Sequence, residues 1–114
     1  MNIRSDKLLL AAKGQSCVCC GVRDGTVVAA HYQGMRSHTL GKGKGIKAHD
    51  LCIADLCVKC HTAFDTGSVE TYCGESPFAK KIDQSEQFLF LIIKTLLRRV
   101  EQGILKTDDL EEIP

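Results

Sequence analysis

The feature that most constrains this chain is a pair of C-x-x-C turns far apart in sequence, Cys17-x-x-Cys20 and Cys57-x-x-Cys60. Such a turn brings two sulfurs to one side, with backbone N–H groups aimed at them. Zinc takes four ligands in a tetrahedron, with thiolates at about 2.3 Å, and two such turns supply a full set. Cys17, Cys20, Cys57 and Cys60 therefore read as a structural zinc site that staples two distant stretches together. Cys19 sits next to Cys20 and is the competing ligand, but Cys17 with Cys20 has the standard spacing. Buried free thiols or a redox pair are the bland readings, and the coincidence of two turns argues against both. Cys52 and Cys73 have no spaced partner and read as small buried hydrophobes.

A staple matters here because the chain is short. Its 114 residues suit one domain, and 44% are apolar, with no tryptophan and only 5% aromatics. The core will be thin, and metal binding adds folding free energy that it lacks. Seven cysteines could instead mark a secreted disulfide scaffold. Residues 1–7 show no signal peptide, however, and the apolar run over 8–12 is too short for one. An odd cysteine count in C-x-x-C spacing fits metal binding in a reducing compartment, so a cytoplasmic location is expected. The longest apolar stretch, 88–93, is too short to span a bilayer.

The net charge is +1, which by itself does not announce nucleic acid. Its distribution says more. Arg36, Lys42, Lys44 and Lys47 lie with His38 in an acid-free segment, whereas Asp108, Asp109, Glu111 and Glu112 crowd the C-terminus. An acidic tail can cancel a basic patch in the sum and leave it intact in space.

Local signals give an α+β chain. Ser5 can cap a short helix through Leu8, Leu9, Leu10 and Ala12, with Gly14 as its stop. Residues 26–32 read as a strand, preceded by an Asp24-Gly25 hairpin signal. Residues 33–47 read as a long flexible loop rich in glycine and lysine. A second short strand is expected over 51–56, then a helix from the second C-x-x-C through Phe64, ending near Gly67. Residues 68–82 show no clear period. Asp83-Gln84-Ser85-Glu86 fits a capping pattern. Behind it Leu89, Ile92, Ile93, Leu96, Leu97 and Val100 repeat at helical spacing, with Gly103 as C-cap. That face reads as core or as a dimer contact.

Two histidines shift the reading from binding toward chemistry. His31 ends the first strand, and His61 directly follows the second C-x-x-C. If zinc draws the two turns together, both rings can face one small site. Phosphodiester hydrolysis needs a base to activate water and a cation beside the leaving oxygen. Histidine suits the first role. A second histidine with an oxygen ligand suits a divalent metal; Asp50 and Asp65 are available oxygens, and His49 is another nitrogen. Taken singly, His31 reads as a hydrogen-bonded structural histidine, Asp50 as an Asx-turn and Asp65 as a surface charge. His38 reads as a phosphate contact or as solvent-exposed.

The order C-x-x-C, strand with Ala30-His31-Tyr32, loop with Gly41-Lys42-Gly43-Lys44-Gly45-Ile46-Lys47-Ala48-His49-Asp50, then Leu56-Cys57-Val58-Lys59-Cys60-His61, resembles the HNH endonucleases. Within that superfamily it is most similar to the YbcO-like nuclease family of phages and prophages. The resemblance covers roughly residues 8–66. It implies a zinc-stapled ββα-metal (His-Me finger) core over about 14–68, within a single domain spanning 1–114. A flanking N-terminal helix and a long C-terminal helix over about 84–103 lie beside that core. It implies that His31 is the general base and that His61 binds the catalytic divalent metal, Mg²⁺ or Mn²⁺. Asp50 falls near the place of the middle asparagine and is a candidate second ligand. Ala30 stands where many members carry aspartate, and the chain's only asparagine is Asn2.

The expected function is thus a metal-dependent DNA endonuclease, with Lys42, Lys44 and Lys47 holding backbone phosphates. The C-terminal helix is a possible homodimer contact. The rival from another class is a non-catalytic zinc-ribbon module that binds DNA or protein.

Overall fold

The structure is a computed structural model that describes residues 3–34, 37–66 and 84–106. Among these it is a small mixed α/β fold with a two-stranded sheet and three α-helices. The expectations at Gly67, over 68–82, at Asp83, Cys73 and Arg36, and at the acidic C-terminus, lie outside the described residues.

Helix α1, Asp6–Leu10, starts where the sequence places its cap. Ser5 is extended, and its Oγ accepts the Leu8 N–H. Leu8 and Ala12 bury their side chains, and Gly14 ends the turn at φ +77°. The first C-x-x-C follows. Asp24-Gly25 then makes an Asx-turn, with Asp24 Oδ1 accepting the Thr26 N–H at 3.0 Å. That turn feeds strand β1, Val28–His31, and among the described residues no strand precedes it. Asp24-Gly25 is therefore not a hairpin turn; its φ +83° glycine redirects the chain into a strand whose partner comes later.

That partner is β2, Ile53–Leu56, paired antiparallel from Val28↔Leu56 to His31↔Ile53. The connection is the basic loop, and its described residues form turns. It contains a 3-10 turn over Ser37–Leu40 and a tight turn in which Gly43 and Ile46 exchange two 3.0 Å backbone hydrogen bonds. The His49 N–H closes the loop onto Leu40 O at 2.9 Å.

All four residues of β2 are buried. By alternation, Ile53 and Asp55 share one face of the pair with Ala29 and His31, and Ala54 and Leu56 share the other with Ala30. Helix α2, Val58–Thr66, leaves β2 at once. Helix α3, Gln84–Glu101, packs along β2. Phe64 of α2 meets Phe88 of α3 edge-on at 5.1 Å between centroids, and Tyr32 leans on Phe88 at 5.9 Å.

The buried stripe of α3 is rotated from the expected one. Phe88, Leu91, Ile92, Thr95 and Arg99 face inward, whereas Ile93 and Leu97 are 57% and 59% exposed. The cause is Asp55. It is fully buried in β2, and its carboxylate needs donors. Arg99 supplies both, with Nη2 to Oδ1 at 2.6 Å and Nη1 to Oδ2 at 2.8 Å. Arg98 adds a third bond to Oδ2 at 3.1 Å. Thr95 Oγ1 accepts the Asp55 N–H and donates to Leu91 O. A pattern built from apolar residues alone misses Thr95 and Arg99, because they are polar residues at core-facing positions. The same arginines reach outward: Arg99 Nε donates to Leu8 O, and Arg98 donates to Ser16 O. The ion pair thus joins α1, the first C-x-x-C, β2 and α3.

Candidate metal centre and histidine site

The four sulfurs of Cys17, Cys20, Cys57 and Cys60 all lie within 4.8 Å of one another. Cys20 and Cys57 are 3.7 Å apart. A zinc tetrahedron with bonds of about 2.3 Å has edges of about 3.8 Å, so this spacing suits a structural zinc ion. Of the adjacent pair, Cys20 joins the group and Cys19 does not. Cys52 is half-buried on the core, outside the cluster, and burial pushes its thiol up.

Local backbone builds the cluster. Gly21, at φ +83°, lets its N–H return to Cys17 O at 2.9 Å, and the Cys17 N–H bonds Val22 O at 2.8 Å. The Val18 N–H docks this turn onto Asp55 O of β2 at 2.9 Å. The second turn is the start of α2, with the His61 N–H on Cys57 O at 2.9 Å. Burial raises the Cys17 thiol, but N–H groups of Cys20, Cys57 and Cys19 outweigh it and leave Cys17 below its ordinary value. Cys60 is pushed well up, by burial first and then by charge on Cys17. Four crowded sulfurs resist ionising together, and a divalent cation relieves that repulsion.

His31 is placed by β1 and lies beside Asp50, which closes the basic loop. Its Nε2 is 2.7 Å from Asp50 Oδ1. Asp50 is 3% exposed, and it accepts the Ser5 N–H on Oδ2 at 2.7 Å and Arg4 Nη1 on Oδ1 at 3.1 Å. Burial alone would raise its carboxyl. The bonds from His31, Ser5 and Arg4 outweigh that and hold it below the usual carboxylate range. An ionised Asp50 only accepts, so His31 Nε2 carries the proton and donates. In a neutral ring, Nδ1 is then the nitrogen that can accept a proton.

His31 borders two clefts. One, of about 280 Å³, also has Lys42, Lys47, Gly43 and Gly45 in its wall. The other, of about 510 Å³, has Asp65, Phe64, Gln84 and Ser85 in its wall. Lys44 is exposed on the loop and is not among the wall residues of the first cleft. His61 is half-exposed on α2, with Nε2 3.4 Å from Asp65 Oδ2 one turn on. Of the other candidates, His49 is occupied: its Nδ1 accepts the Ile3 N–H at 3.0 Å, and its ring packs against Gly41. His38 is exposed in the 3-10 turn.

The structure thus brings His31 to Asp50 and to the lysine cleft, and pairs His61 with Asp65. Among the described residues, the cysteine cluster is the one group of three or more metal-ligating side chains this close together. Sequence reasoning missed Arg4 and Ser5, which hold Asp50 from 46 and 45 positions away. No local signal marks such a contact. It also missed Asp55 with Arg98 and Arg99, where a charge inside an apolar strand was a readable hint. No described helix is long and apolar enough to cross a membrane. No protein-family model, curated protein or solved structure matches this chain.

Proposed function

We propose that the protein is a metal-dependent DNA endonuclease of HNH type, of the phage and prophage kind. The observation that carries the reading is His31, held through Nε2 by a buried ionised Asp50 at the edge of a cleft walled by Lys42 and Lys47. The β1–β2–α2 order, with His61 at the start of α2, supports it. His31 Nδ1 takes the proton of a water that attacks phosphorus. Asp50 fixes the ring and stabilises the imidazolium that forms. Lys42 and Lys47, with Lys44 nearby on the loop, hold the flanking phosphates. Mg²⁺ or Mn²⁺, held by His61 with an oxygen of Asp65, would supply charge stabilisation at the departing oxygen. Asp65 suits that place better than Asp50, whose two oxygens already accept three N–H donors, or His49, whose Nδ1 is taken. The zinc on the four cysteines is scaffolding, because a full set of thiolates leaves no open position for water.

The test is nicking of supercoiled plasmid with and without Mg²⁺ or Mn²⁺. His31→Ala should cut at least about 100-fold more slowly while still binding DNA. Replacing Lys42 and Lys47 with Ala should weaken binding and flatten its salt dependence by about two ions. Equal cutting by wild type and His31→Ala would remove the base assignment. DNA retention without cleavage under any divalent ion would assign the protein to the rival class of zinc-ribbon binding modules.

A further inference from the structure

Residues 3–5 cross residues 47–50 as a short clasp. The Ile3 N–H donates to His49 Nδ1, and the Asp50 N–H donates back to Ile3 O at 2.9 Å. The Ser5 N–H holds Asp50 Oδ2. Between them the Arg4 guanidinium spreads over three oxygens. Nη1 reaches Ala48 O at 2.6 Å and Asp50 Oδ1 at 3.1 Å, and Nη2 reaches Lys47 O at 2.7 Å. The clasp is anchored behind, since Ser5 caps α1 and Leu8 O of α1 is held by the buried Arg99.

We propose that Arg4 is a positioning residue for the histidine site, fixing Asp50 so that His31 presents Nδ1 to the cleft. The inference rests on the reading of His31 as the base. Asp50 Oδ1 is shared between His31 Nε2–H and Arg4, so the guanidinium sets the angle of the carboxylate, and the carboxylate sets the ring. Without Arg4, the carbonyls of Lys47 and Ala48 lose these donors together with Asp50. The carboxylate can then turn, and the imidazole turns with it. Lysine cannot replace it, because one ammonium does not span three acceptors as a planar fork does. Both terminal nitrogens of Arg4 are engaged by protein oxygens, so its loss should act on turnover rather than on substrate binding.

The experiment compares the full zinc-loaded chain with Arg4→Ala, Arg4→Lys and Arg4→Gln. Plasmid nicking gives kcat and KM, and nitrogen NMR of the His31 ring gives its tautomer. Arg4→Ala should lower kcat by about 10-fold or more with KM changed by less than about 2-fold. Arg4→Lys should not restore it. His31 should hold one Nε2–H tautomer in wild type and lose it in Arg4→Ala. Wild-type kcat in Arg4→Ala would overturn the proposal. So would a raised KM at unchanged kcat, which would make Arg4 a substrate contact. Should Arg4→Ala not retain zinc and helical content, Arg4→Gln is measured on the same criteria. If wild type cuts no DNA, the nuclease reading falls and the ring nitrogens decide alone: an unchanged tautomer in Arg4→Ala overturns the clasp, and a lost one supports it.

Discussion

Arg99→Met tests the buried ion pair, because it keeps an unbranched apolar stem and removes the guanidinium. Arg99 and Asp55 are both 0% exposed in their side chains. Removing one partner of a buried pair typically costs about 3–5 kcal/mol, since the other charge is left without compensation. Here Arg98 still reaches Asp55 Oδ2 at 3.1 Å, which places the expected cost near the lower end, about 3 kcal/mol. A chain of 114 residues has an unfolding entropy of about 0.24 kcal/mol/K, so Tm should fall by about 12 °C. Arg98→Met should cost only about 1 kcal/mol: its side chain is 22% exposed, and Arg99 continues to hold both oxygens. Asp55→Leu combined with Arg99→Met should recover much of the loss, because no charge is then stranded by the missing partner. The assay is urea unfolding of the zinc-loaded protein at pH 7, followed by far-UV circular dichroism. A loss below about 1 kcal/mol in Arg99→Met would refute the reasoning. So would equal losses in Arg98→Met and Arg99→Met.

Three further outcomes are expected. The chain should carry one zinc, and Cys57→Ser should lose it together with thermal stability, as read by metal analysis and melting. Zinc retention against a fixed chelator should weaken as pH falls, because protons compete for the sulfurs. As a proposal for assembly, the exposed α3 stripe of Phe90, Ile93 and Leu97 pairs with a second copy. Sedimentation should then show a two-chain species that Leu97→Glu converts to one chain, and a concentration-independent single chain in wild type would dismiss the dimer.

The local signals in the chain were readable because they depend on near neighbours. Ser5 caps α1 three residues before the N–H it binds, and the C-x-x-C spacing is itself a turn geometry. The spacing of Cys17 and Cys20 already favours the pair found in the cluster. The strands and helices fall within a few residues of their expected bounds, because β-branched runs, caps and 3.6-residue periods act over single turns. Reading fails where a polar residue stands in for an apolar one. Thr95 and Arg99 break the apolar pattern of α3, so apolar spacing alone includes the exposed Ile93 and Leu97 and leaves these two buried residues out.

What the sequence determined by itself was therefore the zinc-type cysteine set, the order of elements and the candidate histidines. Each follows from residue type and short spacing. Tertiary structure decided what those residues touch. Asp50 has His31, Arg4 and the Ser5 N–H around its carboxylate, although these lie 19, 46 and 45 positions away. Asp55 turns α3 so that Arg99 is buried and Leu97 is not. Both outcomes have one physical cause. A buried carboxylate must collect its hydrogen-bond donors wherever the chain can bring them, and that requirement leaves no periodic mark in sequence.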